Sequence, residues 1–443
     1  MLGQYSRQTE YSHDVSLFKS LFKSQTSIND ANELSKVCLS FLHTLKSAWL
    51  ETVQLLKKEA ELVRFETVEL PASAVFLDRQ MRGMRIDQDE LDKRYEALKQ
   101  EKYQAFIRVA RALKVSPSGF NFRNIKGHLN GTELAELANT DDASRIEQNL
   151  HLASVNSPLA FDIVSLIRSD RDLKTLSRLS NPAGKCYPTF TTVGTVTGRV
   201  LVRNPYLQGL RKRYRSVIAP DEGHSLVYLD YDQFEPGILS SLSQDTALQN
   251  LYAKGDIYTQ LSETVFDDPR YRSVAKQMFI SFLYGMSEQR IIEVLQSGNS
   301  NGNDASEVLA EKIKSFFSRF SDALGYRQDM QDLLLANNRI NTPLGGHRKR
   351  SGAGELNSNE RRWALNQRIQ GTASLIFKEA MIEIASLLGS QAILLPMHDA
   401  FLMQLPIEKL AEQTNAAKLI MEGSMRKYCP TIVPKVSLEK FSQ

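Results

Sequence analysis

Two aspartates close apolar runs, and both are suited to binding a hard cation. Asp230 ends the run 225–229, which predicts a buried strand, and Asp399 follows His398 at a break in the apolar run 393–403, which predicts a tight β-hairpin. Mg²⁺ binds one or two protein carboxylates together with substrate phosphates. Two such ions can lower the barrier to in-line phosphoryl transfer. Taken alone, each aspartate is more often a turn or helix cap.

A predicted helix after residue 270 carries cations, an apolar side chain and an aromatic ring along one face. Arg272, Lys276, Ile280 and Tyr284 are spaced four residues apart, so they share one side of a helix. The order suits a nucleotide whose phosphates contact the two cations and whose sugar and base lie near Ile280 and Tyr284. Cations early in a helix oppose its dipole, which favours a functional reason for them. An ordinary amphipathic helix with a basic first half is the alternative.

A second ladder of four-residue steps, Arg362, Asn366 and Gln370, lies on a later predicted helix. Such a stripe of long polar side chains can reach base edges or sugars in a minor groove, or it is simply a solvated face. The net charge is only +4, but residues 211–215 and 347–350 form compact basic clusters. These clusters can neutralise phosphates or form solvated basic turns.

The elements that must position these residues alternate between helical and β-rich blocks. We predict helix over 15–66, a break around Pro71, a long charged helix beginning near residue 89, a loop-rich region over 115–145, strands within 189–200 and 225–234, mostly helix over 245–337, one long helix over 359–389, a hairpin over 391–404, and a last helix with a short strand. This order predicts an α+β chain whose sheet is interrupted by a helical subdomain.

Length and composition exclude several classes of protein. The 443 residues suffice for two or more domain-sized cores, and the apolar and charged fractions of 42% and 24% are ordinary for a soluble protein. There is no apolar run of about 18 residues and no apolar signal core, so we expect neither a membrane span nor secretion. The widely spaced Cys38, Cys186 and Cys429 are predicted to be reduced thiols in a cytoplasmic protein.

Taken in order, these motifs resemble those of the family A, polymerase-I-like DNA polymerases. Residues 230–235, Asp-Tyr-Asp-Gln-Phe-Glu, are similar to the first palm motif, usually Asp-Tyr-Ser-Gln-Ile-Glu. The fingers helix, the His-Asp pair of the last palm motif, the Thr-Gly-Arg segment at 197–199 with 204–208, and the polar ladder also match. Residues 70–87 resemble the start of the thumb. The resemblance covers roughly residues 65–440.

The resemblance implies a right-hand fold of palm, fingers and thumb, α+β in class, mostly helical with an antiparallel palm sheet. It implies a helical exonuclease-type remnant over 1–66, a thumb over 67–188, a palm over 189–245 and 353–443, and fingers over 246–352. The expected function is template-directed DNA synthesis, in gap filling or lesion bypass, or replication of a mobile element. The expected cofactors are two Mg²⁺ ions, with Mn²⁺ as a substitute. Primer–template DNA and deoxynucleoside triphosphates are the expected partners of a monomer, associated with the nucleoid in a bacterium or phage.

The same resemblance implies roles for individual residues. Asp230, Asp399 and the main chain of Tyr231 bind the catalytic metals. The implied nucleotide-binding residues are Arg272, Lys276, Ile280, Tyr284, Glu235, Gln233 and Tyr258. Among these, Glu235 crowds the sugar 2′ position and excludes ribonucleotides. The implied DNA-binding residues are Arg199, Asn204, Gln208, Arg362, Asn366, Gln370 and His398.

Several positions depart from the family pattern. Ile280 stands where the family has a base-stacking aromatic, with Phe279 one residue earlier, so nucleotide selection is expected to be looser. Tyr258 replaces the usual phosphate-contacting His. Ala400 stands where many relatives have an accessory Glu, and Pro236 is expected in the first turn of a following helix.

The sequence predicts no 3′–5′ exonuclease, because only about 65 residues precede the thumb and they hold no Asp-x-Glu pattern. Length argues likewise against a 5′-nuclease domain. Three alternatives stay open. A single-subunit RNA polymerase is disfavoured by Glu235, and a non-catalytic polymerase-fold scaffold by the retained aspartates and phosphate cations. A His-Asp phosphohydrolase lacks further ligand spacing around His398.

Overall fold

Helical blocks alternate with short strands, as the sequence predicts. The computed structural model describes residues 31–118, 125–132, 134–135, 146–147, 150, 154, 157–181, 183–287, 289, 291–292 and 303–442. Within these ranges the α-helices are α1 (Ala31–Lys58), α2 (Leu62–Arg64), α3 (Leu70–Arg82), α4 (Gln88–Ala112), α5 (Ile125–Leu129), α6 (Pro158–Ser177), α7 (Phe234–Leu242), α8 (Thr246–Ala253), α9 (Ile257–Phe266), α10 (Arg272–Leu283), α11 (Asn303–Phe317), α12 (Ser321–Asn337), α13 (Ser358–Leu388) and α14 (Leu410–Tyr428). The predicted loop-rich region 115–145 lies largely outside the described residues.

The strands are short, and most serve the central sheet. They are β1 (Met84–Ile86), β2 (Lys185–Cys186), β3 (Thr189–Thr191), β4 (Leu201–Arg203), β5 (Ile218–Ala219), β6 (His224–Tyr231), β7 (Arg339–Asn341), β8 (His347–Lys349), β9 (Ile393–Met397), β10 (Ala400–Pro406) and β11 (Val436–Glu439). The predicted β-rich stretch 189–200 is only partly strand. After β3 the chain turns through Gly194 and Gly198 before β4, which pairs back on β3.

The central sheet is antiparallel and has the strand order β11-β6-β10-β9. The β9–β10 hairpin is the one predicted from the apolar run, and its register pairs Ala400 with both Met397 and Asp230. One sheet face packs Leu229 and Phe401 into the main core, where Phe401 stacks on Phe377 of α13 at 4.1 Å. Because β6 lies between β10 and β11, its last residues end beside the hairpin turn.

The helical subdomain between the two parts of the sheet has an aromatic core. Phe279 and Phe282 of α10 pack with Phe316, Phe317 and Phe320, and the rings of Phe282 and Phe317 stack at 4.3 Å. This packing buries one face of α10 and leaves Arg272 and Lys276 of the same helix exposed. The prediction of a helical insert over 245–337 is therefore confirmed for the described residues.

The predicted helix break at Pro71 is wrong. The helical course continues from α2 through a π-helical turn at Phe65–Glu69 into α3, and Pro71 lies in the first turn of α3. Leu70 N–H donates to the carbonyl of Phe65. The π turn ends at Glu69, so Pro71 falls in the first turn of α3, where proline's missing N–H is tolerated.

The segment before α3 is tied to the body by buried charges. Lys378 of α13, only 1% exposed, donates to both carboxylate oxygens of Glu69 at 3.0 and 2.8 Å. Arg64 also donates to Glu69, and His347 of β8 contacts Glu61 at 2.9 Å. Buried ion pairs of this kind are costly to break because one charge is left uncompensated. These residues therefore fix the β7–β8 hairpin against α13.

Two further sequence predictions concern the cysteines and membrane spans. Cys38, Cys186 and Cys429 are free thiols, and burial raises the pKa of Cys186 to about 11 and that of Cys429 to about 12. In the described part of the chain, no helix combines the length and the apolar character that crossing a bilayer requires.

Candidate active site

Asp230 and Asp399 meet at one end of the central sheet. Asp230 is the penultimate residue of β6, and Asp399 lies in the two-residue turn between β9 and β10. His398, beside it in the turn, has a φ of 57°. The main-chain N–H of Tyr231 donates to the carbonyl of Asp399 at 3.2 Å. Sheet register thus joins two acids that lie far apart in the sequence.

These carboxylates are in an environment that disfavours their negative charge. Burial raises the pKa of Asp230 to about 7, helped by the nearby charges of Asp399, Glu439 and Asp232. Burial also raises the pKa of Asp399, although Arg199 and Lys276 oppose the shift. Two desolvated acids of the same sign are relieved by a bound cation.

The donor set fits a hard divalent ion. Within the described ranges, neither carboxylate of the pair forms an ion pair or a side-chain hydrogen bond. No group of three or more His, Cys, Asp or Glu able to hold a metal occurs among the residues that were described. Two carboxylates and main-chain oxygen leave several positions for water and phosphate, which is the arrangement Mg²⁺ prefers.

We expect Asp230→Asn to stabilise the metal-free protein at about pH 8. The folded-state pKa of Asp230, about 7, lies above the ordinary value of 3.8. Between these two values the folded protein holds a proton that the unfolded chain has lost, and above about pH 7 the folded protein carries a charged carboxylate in an unfavourable site. The destabilisation is absent below about pH 4 and complete above about pH 7. The expected gain is about 1–3 kcal/mol in the free energy of unfolding, measured by urea titration with EDTA. A gain that is as large at pH 4 as at pH 8 would contradict this account.

The cations of α10 stand over an aromatic ring. Arg272 and Lys276 lie 5.5 and 5.6 Å from the ring centre of Tyr258, which is buried at the start of α9. Arg272 also forms a bidentate pair with Asp256, with Nε to Oδ2 at 2.8 Å and Nη2 to Oδ1 at 3.0 Å. The predicted face of α10 is therefore assembled, with Tyr258 beneath it.

Asp256 is the residue that sequence reasoning left without a role. It is the N-cap of α9, where its side chain accepts from the N–H of Thr259. An Asp directly before an apolar helical run is a recognisable cap signal. The signal gives the helix boundary, and it does not reveal that the same carboxylate pairs with Arg272.

Ile280 and Phe279 point in different directions. Phe279 is fully buried in the aromatic core, and Ile280 is half-buried on the face that carries Arg272 and Lys276. The missing stacking ring is therefore not supplied by Phe279. An aliphatic side chain occupies the position on the open face of the helix.

A chain of hydrogen bonds links four predicted site residues. Gln370 Nε2 on α13 donates to the Tyr284 hydroxyl at 2.8 Å, and that hydroxyl donates to Glu235 on α7. The other carboxylate oxygen of Glu235 accepts from Arg199. Burial raises the pKa of Glu235, and the adjacent Arg199 opposes that shift. Hydrogen bonds from Arg199 and Tyr284 therefore hold both oxygens of the Glu235 carboxylate.

The three residues of the predicted polar ladder lie on α13. Arg362 is exposed beside Gly285, and Asn366 is half-buried with an Oδ1 atom that has no hydrogen-bond partner in the part of the chain that the structure describes. Gln370, the third residue of the ladder, donates its hydrogen bond to the Tyr284 hydroxyl. Asn204 and His398 are exposed.

Two of the residues predicted to contact DNA or nucleotide form hydrogen bonds to the main chain. Gln208 is 5% exposed and bonds to the main chain of Val202, Val200 and Pro396 at 3.0–3.2 Å. Gln233 bonds to the carbonyl of Gly255 and the N–H of Ile257. Both amides are thus held by hydrogen bonds within the fold. The identity of a polar residue in a motif does not reveal whether its side-chain amide already has hydrogen-bond partners within the fold.

The two basic clusters are largely neutralised by neighbouring acids. Arg211 pairs with Asp172, and Arg213 pairs with Glu101 at 2.8 Å. In the second cluster, Lys349 and Arg350 pair with Glu59 and Glu360. The phosphate-neutralising interpretation therefore loses support for these side chains, because their charges are already paired with acids of this chain.

Comparison with known proteins finds that this chain is similar to DNA polymerases. The family model described as DNA polymerase family A matches residues 144–439. The chain is 24% identical over 421 residues to DNA polymerase I of Caldicellulosiruptor bescii, covering 88% of this chain and 48% of that protein. It is 27% identical over 401 residues to the thermostable DNA polymerase I of Thermus filiformis, covering 81% and 46%. The chain thus spans about half the length of these relatives.

A solved structure shares the fold. The polymerase domain of Pol1 from M. smegmatis, in complex with DNA primer-template and dNTP, matches with a TM-score of 0.72 and 22% identity. The match covers 90% of this chain and 73% of that one. The mostly helical α+β architecture with an antiparallel sheet is therefore that of a palm, fingers and thumb domain.

Proposed function

The chain belongs to DNA polymerase family A, and from this premise we propose that it adds deoxynucleotides to a primer 3′-hydroxyl under the direction of a template. The observation that carries the proposal is the meeting of Asp230 and Asp399 at one sheet end, opposite the cations of α10. Lys276 acts electrostatically on both carboxylates. This arrangement gives one site for metal-bound phosphates and one for the outer phosphates of a nucleotide.

Asp230, Asp399 and the main-chain carbonyl of Tyr231 would hold two divalent ions. We propose Mg²⁺, with Mn²⁺ as a substitute, because the donors are all oxygen. When bound, such ions would neutralise charge on the α-phosphate and favour ionisation of the 3′-hydroxyl. The protein contributes little covalent chemistry to phosphoryl transfer, so its own part is positioning and charge.

The nucleotide is positioned by the open face of α10. Arg272 and Lys276 receive its phosphates, and Ile280 and Tyr284 border the sugar and base. Glu235, fixed by Arg199 and Tyr284, crowds the 2′ position. Gln233 and Tyr258 support this wall, the first by fastening the start of α9 and the second by lying under the cations.

The DNA is positioned mainly by α13 and the hairpin turn. We propose that Arg362, Asn366 and Gln370 face the primer–template, with Arg199, Asn204 and His398 near the primer terminus. Gln208 would act indirectly, because it holds the strand beside the turn. In this scheme residues 67–188 form the thumb, 189–245 with 353–443 the palm, 246–352 the fingers, and 1–66 the N-terminal helical segment.

The test is extension of a 5′-labelled primer on a longer DNA template, with Mg²⁺ and each deoxy- or ribonucleotide supplied in turn. Template-directed deoxynucleotide addition supports the proposal. No addition, with primer–template binding intact, would favour a non-catalytic scaffold, and a preference for ribonucleotides would favour an RNA polymerase. We also propose that these residues provide no 3′–5′ exonuclease, so a 3′-labelled single strand should persist.

We expect Ile280→Phe to lower misinsertion. Ile280 presents an aliphatic surface to the cleft, and base–aromatic stacking is worth about 1–3 kcal/mol per base, so a ring should strengthen the discrimination of correctly paired nucleotides. The expected gain is about tenfold, measured as single-nucleotide kcat/KM for correct and incorrect pairs. Ile280→Leu is the matched control, since it retains an aliphatic side chain. Equal misinsertion by Ile280→Phe and the unsubstituted protein would contradict the prediction.

A further inference from the structure

The two cations on the open face of α10, Arg272 and Lys276, differ in whether an acidic side chain already binds them. Lys276 forms no ion pair with any residue in the described ranges and stands over Tyr258 at 5.6 Å. Arg272, one turn earlier, is bound through two guanidinium nitrogens to both oxygens of Asp256. A phosphate that approaches this face therefore finds one cation available and one already neutralised.

The carboxylate that neutralises Arg272 is held rigidly. Oδ2 of Asp256 also accepts from the N–H and the hydroxyl of Thr259, at 2.8 and 2.6 Å. Asp256 is the N-cap of α9, so turning its side chain away from Arg272 would leave the helix end uncapped. Hydrogen bonds from Arg272 and Thr259 lower the pKa of Asp256 although burial opposes them, which keeps the carboxylate charged.

We propose that Asp256 competes with nucleotide phosphates for Arg272 and so limits how tightly the site holds phosphate, including the pyrophosphate product. The inference rests on the proposed function, in which Arg272 receives the triphosphate. A guanidinium edge that is occupied by two carboxylate oxygens cannot offer the same two N–H groups to a phosphate. Every phosphate ligand that uses this edge must displace the carboxylate, and Asp256 recaptures Arg272 when the ligand leaves.

The capping role of Asp256 can be separated from its charge. Asn caps a helix about as well as Asp, and it cannot form an ion pair with Arg272. A matched pair lies nearby, because Asp268 also caps a helical turn and accepts hydrogen bonds from Nε of the exposed Arg270. Arg270 is not on the stripe that carries Arg272 and Lys276, so Asp268→Asn repeats the substitution without touching the phosphate face.

The experiment compares Asp256→Asn with Asp268→Asn in the full chain. In primer extension we expect Asp256→Asn to lower the KM for deoxynucleotides and the inhibition constant of pyrophosphate by about fivefold each, the upper range for a partly exposed ion pair. We expect kcat to fall by less than about twofold, since the reacting atoms are not touched. Asp268→Asn should change none of these. Thermal unfolding verifies the cap, and Asp256→Ser, also a capping residue, should repeat the Asp256→Asn result.

Calorimetric titration with pyrophosphate and Mg²⁺ gives a readout that does not depend on extension. Tighter binding by Asp256→Asn supports the competition. Unchanged binding by a folded variant overturns it, and so does a higher KM, which would mean that the carboxylate orients Arg272 for phosphate. Absence of primer extension by the unsubstituted protein would refute the proposed function, and the pyrophosphate titration would still decide the role of Asp256.

Discussion

Asp399→Ala is expected to lower template-directed primer extension by at least about 10³-fold. Asp399 and Asp230 are the two desolvated carboxylates of the cleft, and neither has a cation partner within the described ranges. Removing one halves the acidic part of the metal site, while the cations of α10 and the polar ladder of α13 are untouched. Primer–template binding should therefore persist. The measurement is single-turnover extension with saturating DNA and deoxynucleotide.

The control separates a metal-site effect from a general loss of negative charge. Glu439 lies exposed on the neighbouring strand β11 and contributes to the raised pKa of Asp230, so Glu439→Gln changes the local field and leaves both aspartates in place. We expect it to change extension by less than about threefold. Thermal unfolding of Asp399→Ala should show no loss of stability, because a buried acid has been removed. Extension within about tenfold of the unsubstituted rate would refute the assigned role of Asp399.

Glu235→Ala is expected to reduce the preference for deoxy- over ribonucleotides by about 10²-fold. A site can reject a sugar that is larger by one hydroxyl only if the side chain crowding the 2′ position cannot move aside. Arg199 and Tyr284 bond the two oxygens of the Glu235 carboxylate, and Gln370 in turn bonds Tyr284 at 2.8 Å. The carboxylate is thereby kept from rotating aside. The measurement is the ratio of kcat/KM for a deoxynucleotide and its ribonucleotide opposite the same template base.

Tyr284→Phe distinguishes crowding by the carboxylate from the hydrogen-bond chain that supports it. The substitution removes the bond to Glu235 and keeps both the aromatic ring and the carboxylate. We expect the sugar preference to fall by less than about tenfold, since Arg199 still holds Glu235. If Tyr284→Phe relaxed the preference as far as Glu235→Ala, fixation by Tyr284 would be the main source of selectivity. An unchanged preference in Glu235→Ala would refute the steric role.

Local elements and motif order were predictable from sequence, because they depend on neighbouring residues. The four-residue spacing on α10 and α13, the hairpin at Asp399 and the place of Pro236 in the first turn of α7 followed from periodicity and turn chemistry. The burial of Phe279 was also encoded, since it shares a helical stripe with Phe282. The expectation that the helix breaks at proline failed at Pro71, because the preceding π turn places Pro71 in the first turn of α3.

Only the tertiary structure decided which side chains are available. Strand register places Asp230 beside the turn that holds Asp399, although the spacing within either motif contains no information about the other. Packing likewise assigned Gln208 to the backbone, Arg211 to Asp172, and Arg272 to Asp256. A hydrogen bond or ion pair depends on which distant group arrives within about 3 Å, and that distance is fixed by the whole chain. The sequence by itself determined which residues could do chemistry, and the fold determined which of them are free to do it.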